Sequence, residues 1–172
     1  AVTFVGLVFM IEQSVQTFLS PKIAEFFSKK MWSELKQQMV LSSMTCFIFT
    51  VTTLLVSYAI LDHLILYFYG ADFVEAYCFY LIIVAGLLIK SLFGFSGNYM
   101  NMCGFQKEFS RILIIITCIN LFSVTLATSI WGTYGAAVST SISYALWGAL
   151  PYFFLKVQGV TVTFSSFRVK VQ

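Results

Sequence analysis

Apolar residues in this chain run in long uninterrupted blocks rather than in strict alternation. Residues 40–60 and 112–155 hold no charge, and residues 77–95 are interrupted only by Lys90. Residues 1–18 are apolar up to Glu12. A bilayer crossing takes about 20 apolar residues, because ~30 Å of hydrocarbon is covered at ~1.5 Å per helical residue. The block 112–155 is too long for one crossing, and Gly132-Thr133-Tyr134-Gly135 divides it with a tight turn. The pattern therefore predicts an all-α membrane protein of about five transmembrane helices, over residues 1–18, 40–60, 77–95, 112–131 and 136–155. A β-barrel would need alternation instead of continuous apolar runs.

Between the first two spans, Ser20 and Pro21 have the chemistry of a helix start, with Ser as N-cap and Pro at the first helical position. Ile23, Phe26, Phe27, Met31 and Leu35 then recur at helical spacing, opposite Lys22, Glu25, Lys29 and Lys36. This predicts an amphipathic helix over residues 21–37, lying along the inner membrane surface; the alternative is a helical extension of the first span into the cytosol. Residues 156–172 read as a cytosolic tail. The chain opens at Ala1 within an apolar run, so it is expected to be a fragment of a longer protein.

Charge placement orients the spans. Lys22, Lys29, Lys30, Lys36, Lys107, Arg111, Lys156, Arg168 and Lys170 are nine of the ten basic residues, and all fall on one side of an alternating topology. The opposite loops hold Asp62, Asp72 and Glu75, and Tyr58, Tyr67, Tyr69 and Tyr77 flank them as an interfacial belt. Positive charge stays in the cytosol, so the chain is expected to begin outside and end inside. Composition agrees: 59% hydrophobic, 10% charged, with a mean hydropathy of +0.90. Seventeen charged residues cannot coat a soluble domain of 172 residues. The net charge of +3 carries no implication of a nucleic-acid partner.

No enzyme motif is present, and no catalytic, metal or cofactor site is expected. His63 is the single histidine, and one imidazole cannot build a metal centre. Cys46, Cys78, Cys103 and Cys118 lack metal or redox spacing and read as small apolar fillers. The informative residues are polar ones inside the spans. A charge at Lys90 costs roughly 2.5–3.5 kcal/mol at mid-bilayer. Gly86 and Gly94 share its helical face, with Gly97, Asn98 and Asn101 further along. That small, polar face is expected to meet a partner helix or a wet cavity. Lys90 could otherwise snorkel, or pair with Glu12, the second intramembrane charge. Gln13 and Gln16 follow Glu12; Thr117, Asn120 and Ser123 share a face in the fourth span, as do Thr140, Ser143 and Tyr144 in the fifth.

Four short signatures occur in order along these spans. Ser20-Pro21-Lys22-Ile23-Ala24-Glu25 follows the first, and Tyr69-Gly70-Ala71-Asp72-Phe73-Val74-Glu75-Ala76 precedes the third. Gly104-Phe105-Gln106-Lys107 lies in the next inner loop, and Gly132-Thr133-Tyr134-Gly135-Ala136-Ala137 opens the last span. From Phe18 to Phe154 the chain resembles the C-terminal half of the polysaccharide flippases, within the superfamily of multidrug and lipid-linked oligosaccharide exporters. The resemblance implies the C-terminal lobe of a two-lobed, twelve-helix exporter in the bacterial cytoplasmic membrane. It further implies an undecaprenyl-pyrophosphate-linked oligosaccharide as cargo, moved by alternating access, and a missing N-terminal lobe as partner. The cavity candidates are Lys90 for the anionic head, Asn98, Asn101, Asn120 and Thr117 for the glycan, and Glu12 beside them. A multidrug or cation exporter of the same superfamily, or a non-transporting membrane scaffold, are the alternative readings.

Overall fold

The computed structural model describes residues 2–69, 75–162 and 167–169; the side chains of residues 1–4, 7, 8, 11, 60–76 and 161–172 lie outside the description. Six helices run in order: α1 Val2–Ser28, α2 Trp32–Tyr69, α3 Glu75–Leu92, α4 Ser96–Met102, α5 Gln106–Trp131 and α6 Thr133–Val157. Two of them, α2 (over Trp32–Ala59) and α5, are long and apolar enough to cross a bilayer, and the bent pair α3–α4 makes a third if it counts as one span. Among the described residues no other helix meets that standard. Helix α6 is long enough but Ser139, Thr140, Ser141 and Ser143 dilute its apolar character. Only 6% of the most apolar stretch of α5 is buried, so this helix turns its aliphatic side chains outward.

Two apolar clusters fill the interior, one toward each end. Tyr80, Ile83, Val84 and Leu87 of α3 meet Val5 of α1 and Ala137 of α6 in the first. Leu19 and Ile23 of α1, Leu35 and Met39 of α2, Phe95, Tyr99 and Met100 around α4, and Leu155 of α6 form the second. The turn between α1 and α2, the start of α5 and the end of α6 thus gather at one end of the bundle, and with them Lys29, Lys30, Lys107, Arg111 and Lys156. These five basic residues share one end of the fold.

The first inner segment differs from expectation. No separate helix begins at Pro21: α1 continues through it to Ser28. The Ser20 hydroxyl donates back to the Gln16 carbonyl at 2.7 Å instead of capping a new helix. Leu19 and Ile23, one turn apart, are both buried in the same cluster. Burying the two contributes roughly 1.5–3 kcal/mol each, enough to offset the ~3 kcal/mol that an interior proline costs. The helix ends in a paired-bond cap, Met31 N–H to Phe26 carbonyl and Lys30 N–H to Phe27 carbonyl, with Lys30 at φ 55°. One turn before it, Lys29 Nζ lies 2.6 Å from Glu25 Oε1. Its hydrogen bond, reinforced by its charge, holds the exposed Glu25 carboxyl below the usual range.

Three further departures follow from local chemistry. Helix α2 continues to Tyr69, so Asp62 and His63 are helical rather than in a loop; at 38 residues it is roughly 57 Å long. Asp72 lies outside the described residues. The third span is broken: α3 and α4 meet at an angle of 57°, with Gly94 at φ 62°. The tail is no simple strand of coil either, because β1 Val160–Val162 pairs antiparallel with β2 Phe167–Val169. Val160 is buried in the second cluster and anchors this hairpin to the bundle.

Glycine sets the closest helix contacts. Gly132, at φ 60° and ψ −139°, is the whole turn between α5 and α6. Gly135 already belongs to α6 and packs directly on the Ala127 backbone. Along the α3–α6 seam, a Cβ on Gly86 would come within 2.7 Å of Ser141 Cα, and one on Gly148 within 2.8 Å of Lys90 Cα. Gly86→Ala should therefore destabilise the bundle by about 1–3 kcal/mol through overpacking. Gly6, whose Cβ would meet nothing within 4 Å, supplies the control. Unfolding of the two variants in mixed micelles, followed by circular dichroism, should show a loss for Gly86→Ala and almost none for Gly6→Ala.

Candidate functional site

The break between α3 and α4 builds the site. Past Lys90 the Phe93 and Gly94 amides fall back on the Lys90 and Ser91 carbonyls at 3.2 and 3.1 Å, closing the helix. The next amide, Phe95 N–H, is buried and donates to Ser43 Oγ of α2 at 3.3 Å. Inside a membrane protein every such group needs an internal partner, and a broken helix is tolerated where it lines a polar cavity. Ser43 carries no functional pattern of its own in the sequence, and its partner is fifty-two residues away, so only the fold reveals it.

A pocket of about 150 Å³ opens at this break. Glu12, Gln13 and Gln16 line it from α1, Lys90 from the last turn of α3, Gly97, Asn98 and Asn101 from α4, Phe109 and Leu113 from α5, and Trp147 and Gly148 from α6. Four of the six candidate residues, Glu12, Lys90, Asn98 and Asn101, thus meet in one place. Their grouping follows from the 57° bend, which carries Asn98 and Asn101 back toward α1. Asn98 Nδ2 reaches Ser20 Oγ at 3.4 Å, a long contact that leaves most of the amide's capacity unspent.

Lys90 is not a free cation. Its Nζ lies 2.9 Å from Glu12 Oε2, and the two side chains are only 10% and 19% exposed. The Phe9 and Trp147 rings stand at 5.0 and 5.1 Å from the ammonium, and Tyr144 stacks parallel to Trp147 at 9°. Aromatic faces add attraction for the cation in a desolvated setting. Of the three placements open for Lys90, pairing with Glu12 is the one adopted, and the pair itself forms part of the pocket wall. The pocket accordingly presents no net charge from these two groups, and its remaining polar surface is amide.

Thr117 and Asn120 lie elsewhere. They line a neighbouring groove of about 360 Å³ with Leu113, Ile116, Thr140, Ser143, Tyr144 and Trp147. Each already makes one hydrogen bond. Thr117 donates to its own helix at the Leu113 carbonyl, 2.8 Å, and Asn120 Nδ2 donates to Ser143 Oγ at 2.5 Å. The Asn120 bond joins α5 to α6, while that of Thr117 stays within α5. Trp147 belongs to both pocket and groove and was not among the sequence candidates, although it sits one turn beyond Ser143 on the same polar face.

Among the described residues no group of His, Cys, Asp and Glu is arranged to hold a metal ion. The chain matches no family model, no curated protein and no solved structure.

Removing one partner of the Glu12–Lys90 pair leaves an uncompensated buried charge. Lys90→Ala and Glu12→Gln should each lower stability by about 3–5 kcal/mol, whereas Glu12→Leu combined with Lys90→Met should restore most of it. Denaturation in mixed micelles measures all three. A double variant that loses the sum of the two single losses would mean that the two charges do not interact.

Proposed function

We propose that this chain is the C-terminal lobe of an alternating-access carrier that flips undecaprenyl-pyrophosphate-linked oligosaccharide units across the bacterial cytoplasmic membrane. The observation that carries the reading is an amide-lined pocket at a broken helix, held between two apolar clusters in a bundle with membrane-length helices. Amides donate and accept at once, which suits sugar hydroxyls. Discontinuous helices near mid-membrane are a recurrent way to build carrier sites. The four signatures that resemble the polysaccharide flippases name the cargo class.

The paired state of Lys90 gives it a specific part in the cycle. An incoming pyrophosphate must displace the Glu12 carboxylate to reach the ammonium, so cargo binding and opening of the α1–α3 contact are coupled. The pocket volume, about 150 Å³, accommodates only a fragment of an oligosaccharide. A second lobe completes the cavity, and in carriers built from repeated halves the site lies between the halves. An exporter of organic cations is the second reading, favoured by the acidic Glu12 in the pocket. It predicts resistance to cationic dyes that Glu12→Gln abolishes.

Expression of residues 1–172 in a strain lacking its own flippase should give no surface glycan, and adding an N-terminal half should restore it. Export by the chain alone would replace the half-carrier with a homodimer. Asn98→Ala with Asn101→Ala should lower the restored export without lowering protein level. Orientation has its own test. Cys103 is buried and cannot report, but Gln106 is exposed at the start of α5. A Gln106→Cys variant should resist an impermeant maleimide in intact cells and react in inverted vesicles; the opposite result reverses the topology.

A further inference from the structure

We infer that the polar pocket and the groove beside it form one bipartite site for a single-chain amphiphile, with a hydroxyl-rich head in the pocket and the hydrocarbon chain between α5 and α6. The inference rests on the carrier reading and adds where the cargo's lipid tail lies. Leu113 and Trp147 line both compartments, so they share a wall.

The two halves differ in what they offer. In the pocket the amides of α1 and α4 face the void. In the groove three hydroxyls donate inside the protein: Thr117 to Leu113, Thr140 to Ala136 at 2.8 Å, and Ser143 to Ser139 at 2.9 Å. No buried side-chain polar atom lacks a partner among the described residues. What remains for a ligand in the groove is mainly aliphatic and aromatic surface, from Leu113, Ile116, Tyr144 and Trp147, with the Asn120 amide oxygen and the Tyr144 hydroxyl as its polar points. Ile114 and Leu121, at helical spacing from Thr117, are exposed on the outward flank of α5. A hydrocarbon chain entering from the bilayer meets these aliphatic side chains on either side of Thr117. The lining spans only residues 113–120 and 140–147, roughly 10 Å of helix. That length suits a segment of flexible chain, whereas a ~30 Å membrane helix would require a groove along the whole of α5.

The test places the chain in phosphatidylethanolamine–phosphatidylglycerol nanodiscs with a polyprenyl-pyrophosphoryl disaccharide that carries a diazirine on its hydrocarbon chain. After irradiation, peptide mapping should find adducts on Leu113, Ile116 or Tyr144. An excess of unlabelled headed lipid should displace them, and polyprenol without a head should compete less well. Thr117→Trp fills the groove from an exposed position and should cut this labelling about tenfold with the unfolding midpoint unchanged. Displaceable labelling confined to other helices, still weakened by Asn101→Ala, overturns the groove and leaves the carrier reading standing. Labelling of the groove that neither headed lipid nor polyprenol displaces assigns it to bulk lipid and also overturns the inference. Absence of displaceable labelling anywhere on the chain overturns the inference, and the carrier reading is then decided by the export test with an N-terminal half.

Discussion

A charged pair 2.9 Å across, with apolar clusters on either side, is the constraint around which this bundle is arranged. Along α1, Glu12 falls between Val5 and Leu19; along α3 and α4, Lys90 falls between Leu87 and Phe95. Each helix therefore switches cluster at its charge. Neither charge is tolerable alone in so apolar a setting, so α1 must sit in register with α3, and that register brings Gln13 and Gln16 opposite Asn98 and Asn101. The pocket is a consequence of satisfying the pair.

The pair in turn depends on backbone proximity elsewhere. Lys90 is carried on a helix pressed so closely to α6 that Gly148 lies against its main chain and Gly86 against that of Ser141. With the backbones this near, little freedom remains for α3 to rotate, and the long lysine side chain is directed across to α1. Small residues let membrane helices approach until dispersion and backbone contact hold them. The same device at Gly135 and Ala127 locks α5 to α6. The closest backbone contacts join α3, α5 and α6, while α1 is attached through the pair and through Val5, Leu19 and Ile23.

Much of this was readable before any fold was known, and the reasons are specific. The face bearing Gly86, Lys90 and Gly94 could be recognised because small residues beside a buried charge have few other uses in hydrocarbon. The α5–α6 turn was legible because only glycine accepts the backbone angles of Gly132. Other features were hidden because they are tertiary. Gly94 fitted a continuous small face as well as a break, and the break is supported by Ser43 from another helix. Pro21 looked like a start because the burial of Leu19 and Ile23 on one face is not visible locally. Thr117 and Asn120 have the right chemistry for a ligand, and only the fold shows that they line a separate groove and each already make one hydrogen bond.

The glycine seam between α3 and α6 has a consequence for how this bundle can diversify. A side chain larger than hydrogen at Gly86 or Gly148 displaces main chain, so changes there alter the whole bundle at once. The amides of Gln13, Gln16, Asn98 and Asn101 border open space and contribute little to packing, so each can be exchanged for another polar or small group at minor structural cost. A closely packed rear wall and a permissive front wall let the polar lining of the pocket change through point substitutions on α1 and α4. The lining can drift while the bundle that holds it stays the same.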